Sequence, residues 1–303
     1  MLSTARLQKV EVFSNRLYSP LRYPGGKAAF APLIANLLQV NGLTGGHYLE
    51  PYAGGAGVAL DLLFSGQACH IHINDADPAI AAFWRAATQN CEELTTLLMA
   101  TPLTMTEWFK WRSILRGEQP ANLVEKGFAT LFMNRTNRSG ILNAGVIGGK
   151  NQAGSYKIDA RFKKDVIASK IREIGKRASD ITVYNEDSLA LLTRCKEFLP
   201  KKSLIYLDPP YYVKGKGLYR NFYRHDDHVA IAKKIRGKRF GRHWVVSYDN
   251  VNEVREMYEM VNAKTYDINY TAQRHYVGSE VMFFSEDLQV AKQAHGSREL
   301  VVD

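Results

Sequence analysis

Five short apolar runs, each bounded by turn residues, recur along the chain at His47 to Glu50, His70 to Asn74, Ile181 to Tyr184, Leu204 to Leu207 and Trp244 to Tyr248. Runs of this length and punctuation read as buried strands. Between the first two lies Gly57 to Phe64, apolar at helical spacing, and after the fourth lies Asp226 to Ile235 with the same pattern. Strands alternating with helices imply an α/β fold, a mainly parallel sheet covered on both faces. Lys264 to Tyr270 and Glu280 to Ser285 are also strand-like, and only nine residues join them. That is too short for a helical crossover, so this C-terminal pair is expected to form an antiparallel hairpin.

The alternation breaks between Pro78 and Ile181. This interval is helical at Ala79 to Leu98, Thr106 to Leu115 and Leu123 to Met133, then rich in Gly and Asn from Asn134 to Gly154. It reads as an inserted, mostly helical module whose glycine-rich part is a loop or a two-stranded ribbon, the kind of element that reaches a ligand. The expected division is a sheet domain of residues 17–84 and 165–285, an insert of residues 85–164, and frayed polar ends at 1–16 and 286–303.

With 303 residues, 46% of them hydrophobic, the chain can build a full α/β domain and a smaller module. No apolar run approaches the roughly 20 residues of a membrane span, and the first thirty residues lack a signal-like apolar stretch. Cys69, Cys91 and Cys195 are odd in number and widely spaced, which argues against a disulfide framework or a zinc site. A cytoplasmic protein with reduced thiols, no membrane association and no metal is expected. The charge, net +10, is unevenly spread. Residues 134–177 hold eleven Lys and Arg against three Asp and Glu, and residues 201–242 hold twelve against three, while the rest of the chain is net acidic. Two basic segments in an otherwise acidic chain suit a groove that neutralises phosphates, because each contact releases condensed counterions.

Two constellations carry chemistry. In Tyr48-Leu-Glu-Pro-Tyr-Ala-Gly-Gly-Ala-Gly57 a strand runs into a glycine-rich turn and a helix, with Gly54, Gly55 and Gly57 allowing a sharp bend and close approach to a ligand. Asp75 follows Glu50 by 25 residues at the end of the next strand, near where such folds place a carboxylate on a ribose hydroxyl. Together they propose an adenosine-bearing cofactor without a phosphate site. In Leu204-Ile-Tyr-Leu-Asp-Pro-Pro-Tyr-Tyr212 a strand delivers a carboxylate, a rigid turn and two aromatics to the carboxyl edge of the sheet, where open α/β sheets bind ligands. Pro209 and Pro210 restrict the backbone so that the Asp208 side chain and the Pro209 carbonyl can converge on one point. Two converging acceptors suit one amino group with two hydrogens, and Tyr211 offers a face on which a planar base can stack.

At these residues the chain resembles the Dam-type, α-group DNA adenine methyltransferases, whose hallmark is a DPPY tetrapeptide, here Asp208, Pro209, Pro210 and Tyr211. Ser19-Pro-Leu-Arg-Tyr-Pro-Gly-Gly-Lys27 is similar to that family's N-terminal cofactor segment, which implies that Tyr23 and Lys27 help hold S-adenosyl-L-methionine. Glu50, Pro51, Tyr52, Gly54, Gly55 and Gly57 match its cofactor turn, with Tyr52 for the commoner Phe. The resemblance further implies a ribose contact by Asp75, a cofactor-adenine contact by Asp187 and a cofactor-facing Asp208. Phe132-Met-Asn-Arg-Thr-Asn-Arg-Ser-Gly-Ile141 resembles the DNA-touching segment, so Asn134, Arg135, Asn137, Arg138 and the downstream Lys150 are expected on DNA. Arg274 with Glu280 resembles the closing hairpin motif. The Dam enzymes themselves carry an aromatic-rich NRxGYNG where this chain has Asn137-Arg138-Ser139-Gly140, a departure that leaves the recognised DNA word open.

The resemblance implies a Rossmann-like methyltransferase sheet with an inserted DNA-recognition module, and methyl transfer to the amino group of an adenine flipped out of double-stranded DNA. Lys214 to Arg224 interleaves basic and aromatic residues directly after the tetrapeptide, and reads as a loop closing over DNA through Lys214, Lys216 and Arg220. Cys195 lies in Arg-Cys-Lys, without the Pro-Cys of enzymes that attack the cytosine ring, so no covalent nucleophile is expected. Methylation of the cytosine amino group, methylation of RNA adenine, and a DNA-binding regulator on an inactive methyltransferase fold stay open. A monomer is expected, with a cognate restriction endonuclease as a candidate partner.

Overall fold

The computed structural model describes residues 18–23, 27–212, 223–270, 276–290 and 300–302. After a 3-10 turn at Lys27–Phe30 come α1 (Ala31–Val40), β1 (Gly46–Glu50), α2 (Gly57–Phe64) and β2 (Ala68–Asn74). Four consecutive helices follow, α3 (Pro78–Gln89), α4 (Cys91–Ala100), α5 (Met105–Leu115) and α6 (Leu123–Thr136), and then α7 (Lys164–Lys176). The alternation resumes with β3 (Ile181–Tyr184), α8 (Ser188–Arg194), β4 (Ser203–Leu207), α9 (His225–Arg236), β5 (His243–Asp249) and α10 (Asn252–Met257). It closes with β6 (Asn262–Tyr270), β7 (Tyr276–Phe284) and β8 (Leu300–Val302).

The strands form one sheet in the order β3-β2-β1-β4-β5-β7-β6-β8. β3 through β5 are parallel, β7 runs antiparallel to both β5 and β6, and β8 pairs in parallel with β6. The chain winds outward from β1 to β3, then returns to β4 on the other side of β1. That reversal separates the carboxyl ends of β1 and β4, and the crevice so opened is where ligands enter doubly wound sheets. The expected parallel sheet and antiparallel hairpin are both present, each strand extending at most a few residues beyond its apolar run.

Side-chain alternation places a core on each face. Tyr48, Leu204, Tyr206 and Val245 belong to the core beneath α1, α2 and α3, while Leu49, Ile205, Leu207 and Val246 belong to the core beneath α8 and α9. β4 is buried at every position, as a central parallel strand must be. The helices between β2 and β3 extend the first core: Trp108, Trp111, Phe128 and Phe132 join the same apolar cluster as Ile71 and Ile73. α6 begins with a reciprocal capping box between Asn122 and Glu125. Its Gly127 permits close approach to α3, since a Cβ there would lie 2.7 Å from the Ala86 Cβ and 3.0 Å from the Ala82 carbonyl oxygen. Among the described residues no helix is long and apolar enough to cross a membrane.

One expectation about the ends is corrected. The segment after residue 285 was expected to fray, but Leu288 is buried, and Gln289 exchanges two hydrogen bonds with the Asn41 side chain just after α1. Leu300–Val302 adds the edge strand β8. The physical reason is that the sheet edge and the end of α1 present unpaired polar groups that this segment can satisfy. The glycine-rich stretch from Ser139 to Gly154 is a succession of turns whose ladder is a single bridge, Asn137 to Val146.

The α3–α6 contact yields a stability prediction. Gly127→Val places branched carbons where only a hydrogen fits, and the overpacking should cost about 1–3 kcal/mol. Thermal unfolding monitored by circular dichroism should show the midpoint lowered by several degrees. An unchanged midpoint would show that the helices do not meet at Gly127.

Candidate active site

Asp208 is the first residue beyond β4, so the buried strand and the two prolines set its position at the carboxyl edge. Ser247 on the neighbouring β5 donates a hydrogen bond to Asp208 Oδ1 at 2.9 Å, and Tyr206 Oη lies 2.9 Å from Ser247 Oγ. With the serine proton committed to the carboxylate, the tyrosine hydroxyl donates to the serine. The turn itself is pinned by Asp249 at the end of β5, which accepts from the Tyr212 amide at 2.9 Å.

Opposite Asp208 sits Lys27, brought in by the 3-10 turn and buried to 7% exposure. Its Nζ lies 3.7 Å from Asp208 Oδ1, 3.0 Å from Tyr211 Oη and 2.5 Å from Glu280 Oε1. Tyr211 Oη donates to the same Glu280 oxygen at 3.0 Å. Two carboxylates therefore share one ammonium. Surrounding protein pushes the Asp208 carboxyl up to about 6, Lys27 opposing and Glu280 reinforcing that rise, and its side chain keeps 28% exposure toward the crevice.

The glycine turn lies beside this cluster. β1 ends at Glu50, whose Oε1 accepts from Tyr48 Oη at 3.1 Å and from the Ala59 amide at 2.9 Å, tying the strand end to the first turn of α2. Burial pushes Glu50 up to about 8, so it is protonated at neutral pH. Gly54 has φ +47°, and a Cβ there would meet the Tyr23 ring at 2.6–2.9 Å. Tyr23 thus covers the turn. Asp75 accepts from the Gly54 amide at 3.0 Å and from the Asp77 amide at 2.9 Å, and burial pushes its carboxyl up to about 7. Trp84 on α3 donates to the Gly54 carbonyl at 2.9 Å. The Pro51 carbonyl accepts from Asn74 and Ser188, and Tyr52 Oη donates to Tyr223 Oη at 3.1 Å. A Cβ at Gly55 or at Gly57 would also be tight, 3.1 Å from Tyr23 Cβ and from Ala28 Cβ respectively. Asp187 caps α8 by accepting from the Ala190 amide at 3.0 Å and is otherwise exposed beyond β3.

The residues assigned to cofactor and catalysis thus gather on one sheet edge, while those assigned to DNA divide. Asn134 is buried, its oxygen accepting from the Arg22 amide and its nitrogen donating to the Arg22 and Gly140 carbonyls. Asn137 is buried too, accepting from Trp108 Nε1 and donating to the Ile141 and Leu142 carbonyls. Both were expected on DNA, and both are corrected to scaffold: their amides are spent on backbone and indole in the interior. Arg135 binds the Pro20 carbonyl, and burial, with Arg22 beside it, lowers its guanidinium to about 10. Arg138 and Lys150 are exposed, and with Arg112 they line a cleft over Trp108. Lys214, Lys216, Arg220 and Arg274 lie outside the described residues.

Glu280, Ser247, Tyr206, Asn74, Trp84 and Asp249 were not assigned roles from sequence. Glu280 stands out in sequence with Arg274 as part of a hairpin motif but without a contact or role, and Ser247 is visible only as a polar residue interrupting an apolar strand, which is the signal that could have marked it.

The arrangement has the parts of a methyl-transfer site acting on an amino group. Gly54 forms a cradle in which a side chain would collide with the Tyr23 ring, Gly55 beside it is tightly packed, and the adjoining polar groups are carboxyls rather than phosphate-binding cations, which fits an adenosyl sulfonium. A solved structure, protein LPL1258 from Legionella pneumophila str. Philadelphia 1, is similar at 11% identity over 90% of this chain and 86% of that one, with a TM-score of 0.30, a likeness too weak to carry any argument. No curated protein matches the chain. The family described as D12 class N6 adenine-specific DNA methyltransferase matches residues 23–273, a span that holds the Lys27 turn, the glycine turn and Asp208 through Tyr211. The chain belongs to that family of adenine-specific DNA methyltransferases.

Proposed function

We propose that this protein transfers a methyl group from S-adenosyl-L-methionine to the exocyclic amino group of an adenine flipped out of duplex DNA, at a specific sequence. The observation that carries the reading is the Asp208 carboxylate, held by Ser247 at 2.9 Å and open to the crevice beside the glycine turn. Tyr23, the Gly54–Gly57 turn, Asp75 and Asp187 would hold the cofactor, with Glu50 and Tyr52 bracing the turn from behind. When bound, S-adenosyl-L-methionine supplies an electrophilic methyl group on sulfonium.

Asp208 and the Pro209 carbonyl accept the two amino hydrogens, which turns the nitrogen lone pair away from the ring as positive charge develops on nitrogen. This interaction strengthens in the transition state and therefore lowers the barrier. Pro210 keeps the turn rigid, and the Tyr211 ring stacks on the base. A flipped base is required because the amino nitrogen is otherwise shielded within the duplex. Residues 17–84 and 165–285 form the catalytic domain in this reading and residues 85–164 the recognition module, with Arg138 and Lys150 on phosphates. A monomeric, cytoplasmic enzyme of Dam-type α-group organisation, with or without a cognate restriction endonuclease, accords with it.

Three outcomes are expected. With radiolabelled cofactor and unmethylated duplex DNA, label enters adenine, and Asp208→Ala lowers kcat by about 10²–10³ or more while calorimetric cofactor affinity stays close to wild type. Label confined to cytosine or to RNA, or an active Asp208→Ala variant, would overturn the assignment. Because the ionised Asp208 carboxylate is the stronger acceptor for its amino hydrogen and burial pushes its carboxyl up to about 6, single-turnover transfer should be weak at pH 5, rise through about pH 6 and level off above it. A flat profile between pH 5 and 8 would remove Asp208 from that role. Finally, Arg138→Ala and Lys150→Ala should each lower the slope of log affinity against log salt by about one. Asn134→Ala should leave that slope alone and lower the melting temperature instead.

A further inference from the structure

We propose that Glu280 is a positioning residue that holds the Lys27 ammonium away from Asp208 and aims Tyr211, so that the Asp208 carboxylate stays open to a substrate amino group. The inference rests on the function proposed above. It begins from an imbalance: one ammonium lies between two carboxylates, at 2.5 Å from Glu280 and 3.7 Å from Asp208. The shorter contact is a charge-assisted hydrogen bond, and the longer is an ion pair without one. Glu280 thus wins the competition for the amine.

The rest of the site explains why that competition matters. An ammonium is an amino group with one more hydrogen, and Asp208 Oδ1, which binds Ser247, is the oxygen that Lys27 approaches. Released from Glu280, Lys27 still has the Asp208 carboxylate 3.7 Å away, and a lysine seated on Asp208 would occupy the acceptor that the base requires. The same Glu280 oxygen takes the Tyr211 hydroxyl at 3.0 Å, and Lys27 Nζ closes the triangle at 3.0 Å from that hydroxyl. One oxygen therefore sets both the amine and the stacking ring. Its own place is fixed by the sheet: Glu280 is 1% exposed on β7, opposite Asp249 on β5 and Tyr266 on β6. Among the described residues, the titratable groups facing the cluster are Asp208 beyond β4, the protonated Glu50 at the end of β1, Asp249 at the end of β5 and Lys27 itself.

The test combines kinetics with crystallography on the full chain. Glu280→Ala should lower kcat for adenine methylation at least about tenfold, the size expected for losing a charge-assisted hydrogen bond. Lys27→Met lowers activity on its own, and the Lys27→Met/Glu280→Gln double variant, which keeps an acceptor for the Tyr211 hydroxyl, should be no slower than Lys27→Met, because the carboxylate charge acts through the amine it restrains. Losses that multiply would overturn the proposal. Glu280→Gln keeps the shape and an acceptor for Tyr211, and the acid limb of its kcat profile should shift to lower pH because a negative charge near Asp208 is gone. An unshifted limb would count against Glu280 acting on Asp208. A crystal structure of Glu280→Ala should show Lys27 Nζ within about 2.9 Å of an Asp208 oxygen, and an amine left in its original place would overturn the proposal. That arm is independent of turnover. Wild-type protein that puts no methyl on adenine would defeat the functional reading, while the position of Lys27 still decides the role of Glu280.

Discussion

A lysine buried to 7% exposure at the carboxyl edge of a sheet is tolerable only because carboxylates surround it, and most of this site follows from that pairing. Lys27 belongs to the N-terminal segment, Asp208 to the loop after β4 and Glu280 to the far strand of the C-terminal hairpin. One ammonium thus joins three stretches that are remote in sequence, 253 residues apart in the case of Glu280. Removing one partner from such a buried pair typically costs about 3–5 kcal/mol. The antiparallel hairpin is therefore part of the active site and not an appendage: without β7 between β5 and β6, no carboxylate would reach the amine from that side.

The glycine turn is held with similar economy. Gly54 is gripped at its amide by Asp75, at its carbonyl by Trp84 and over its α-carbon by the Tyr23 ring. The absence of a side chain at Gly54 is what permits the aromatic contact, and φ of +47° is the conformation that glycine adopts at least cost. Ala56 carries φ of +47° as well, with a Cβ, at the entrance to α2. The protonated Glu50 behind it offers one oxygen to Tyr48 and Ala59, so the strained entry to the helix is braced from the interior.

The sheet and the placement of Asp208 through Tyr211 at its edge were legible in the sequence because both are local. A strand such as Leu204 to Leu207 carries its own apolar signature, and Asp208 through Tyr211 is contiguous with it. The doubly wound connection followed from the alternation, and the hairpin from the short link between its strands. What could not be read is pairing at a distance: nothing near Glu280 says that it meets Lys27, and nothing near Ser247 says that it meets Asp208. The errors at Asn134 and Asn137 have a different cause. Asparagine beside arginine reads as a surface that grips DNA, but the apolar run Phe128 to Met133 makes α6 buried nearly all round, and Asn134 and Asn137 continue it inward. An amide in that position must find interior partners, and the backbone of Arg22 and the indole of Trp108 supply them.

That misreading also shows how the helical interval is joined to the catalytic edge. Asn134 takes both the amide and the carbonyl of Arg22, as a neighbouring strand would, and Arg135 holds the Pro20 carbonyl two residues earlier. Tyr23 follows immediately, over Gly54, and Lys27 lies four residues further on, beside Asp208. The end of α6 therefore fixes the backbone from which the turn-covering ring and the shared ammonium both depart. Exposed cations at Arg138 and Lys150 lie directly beyond the same helix end. A segment that reads in sequence as a binding surface is in the structure largely a post: Asn134 and Arg135 hold the backbone of Pro20 and Arg22, Asn137 holds Trp108, and Arg138 and Lys150 stay at the surface.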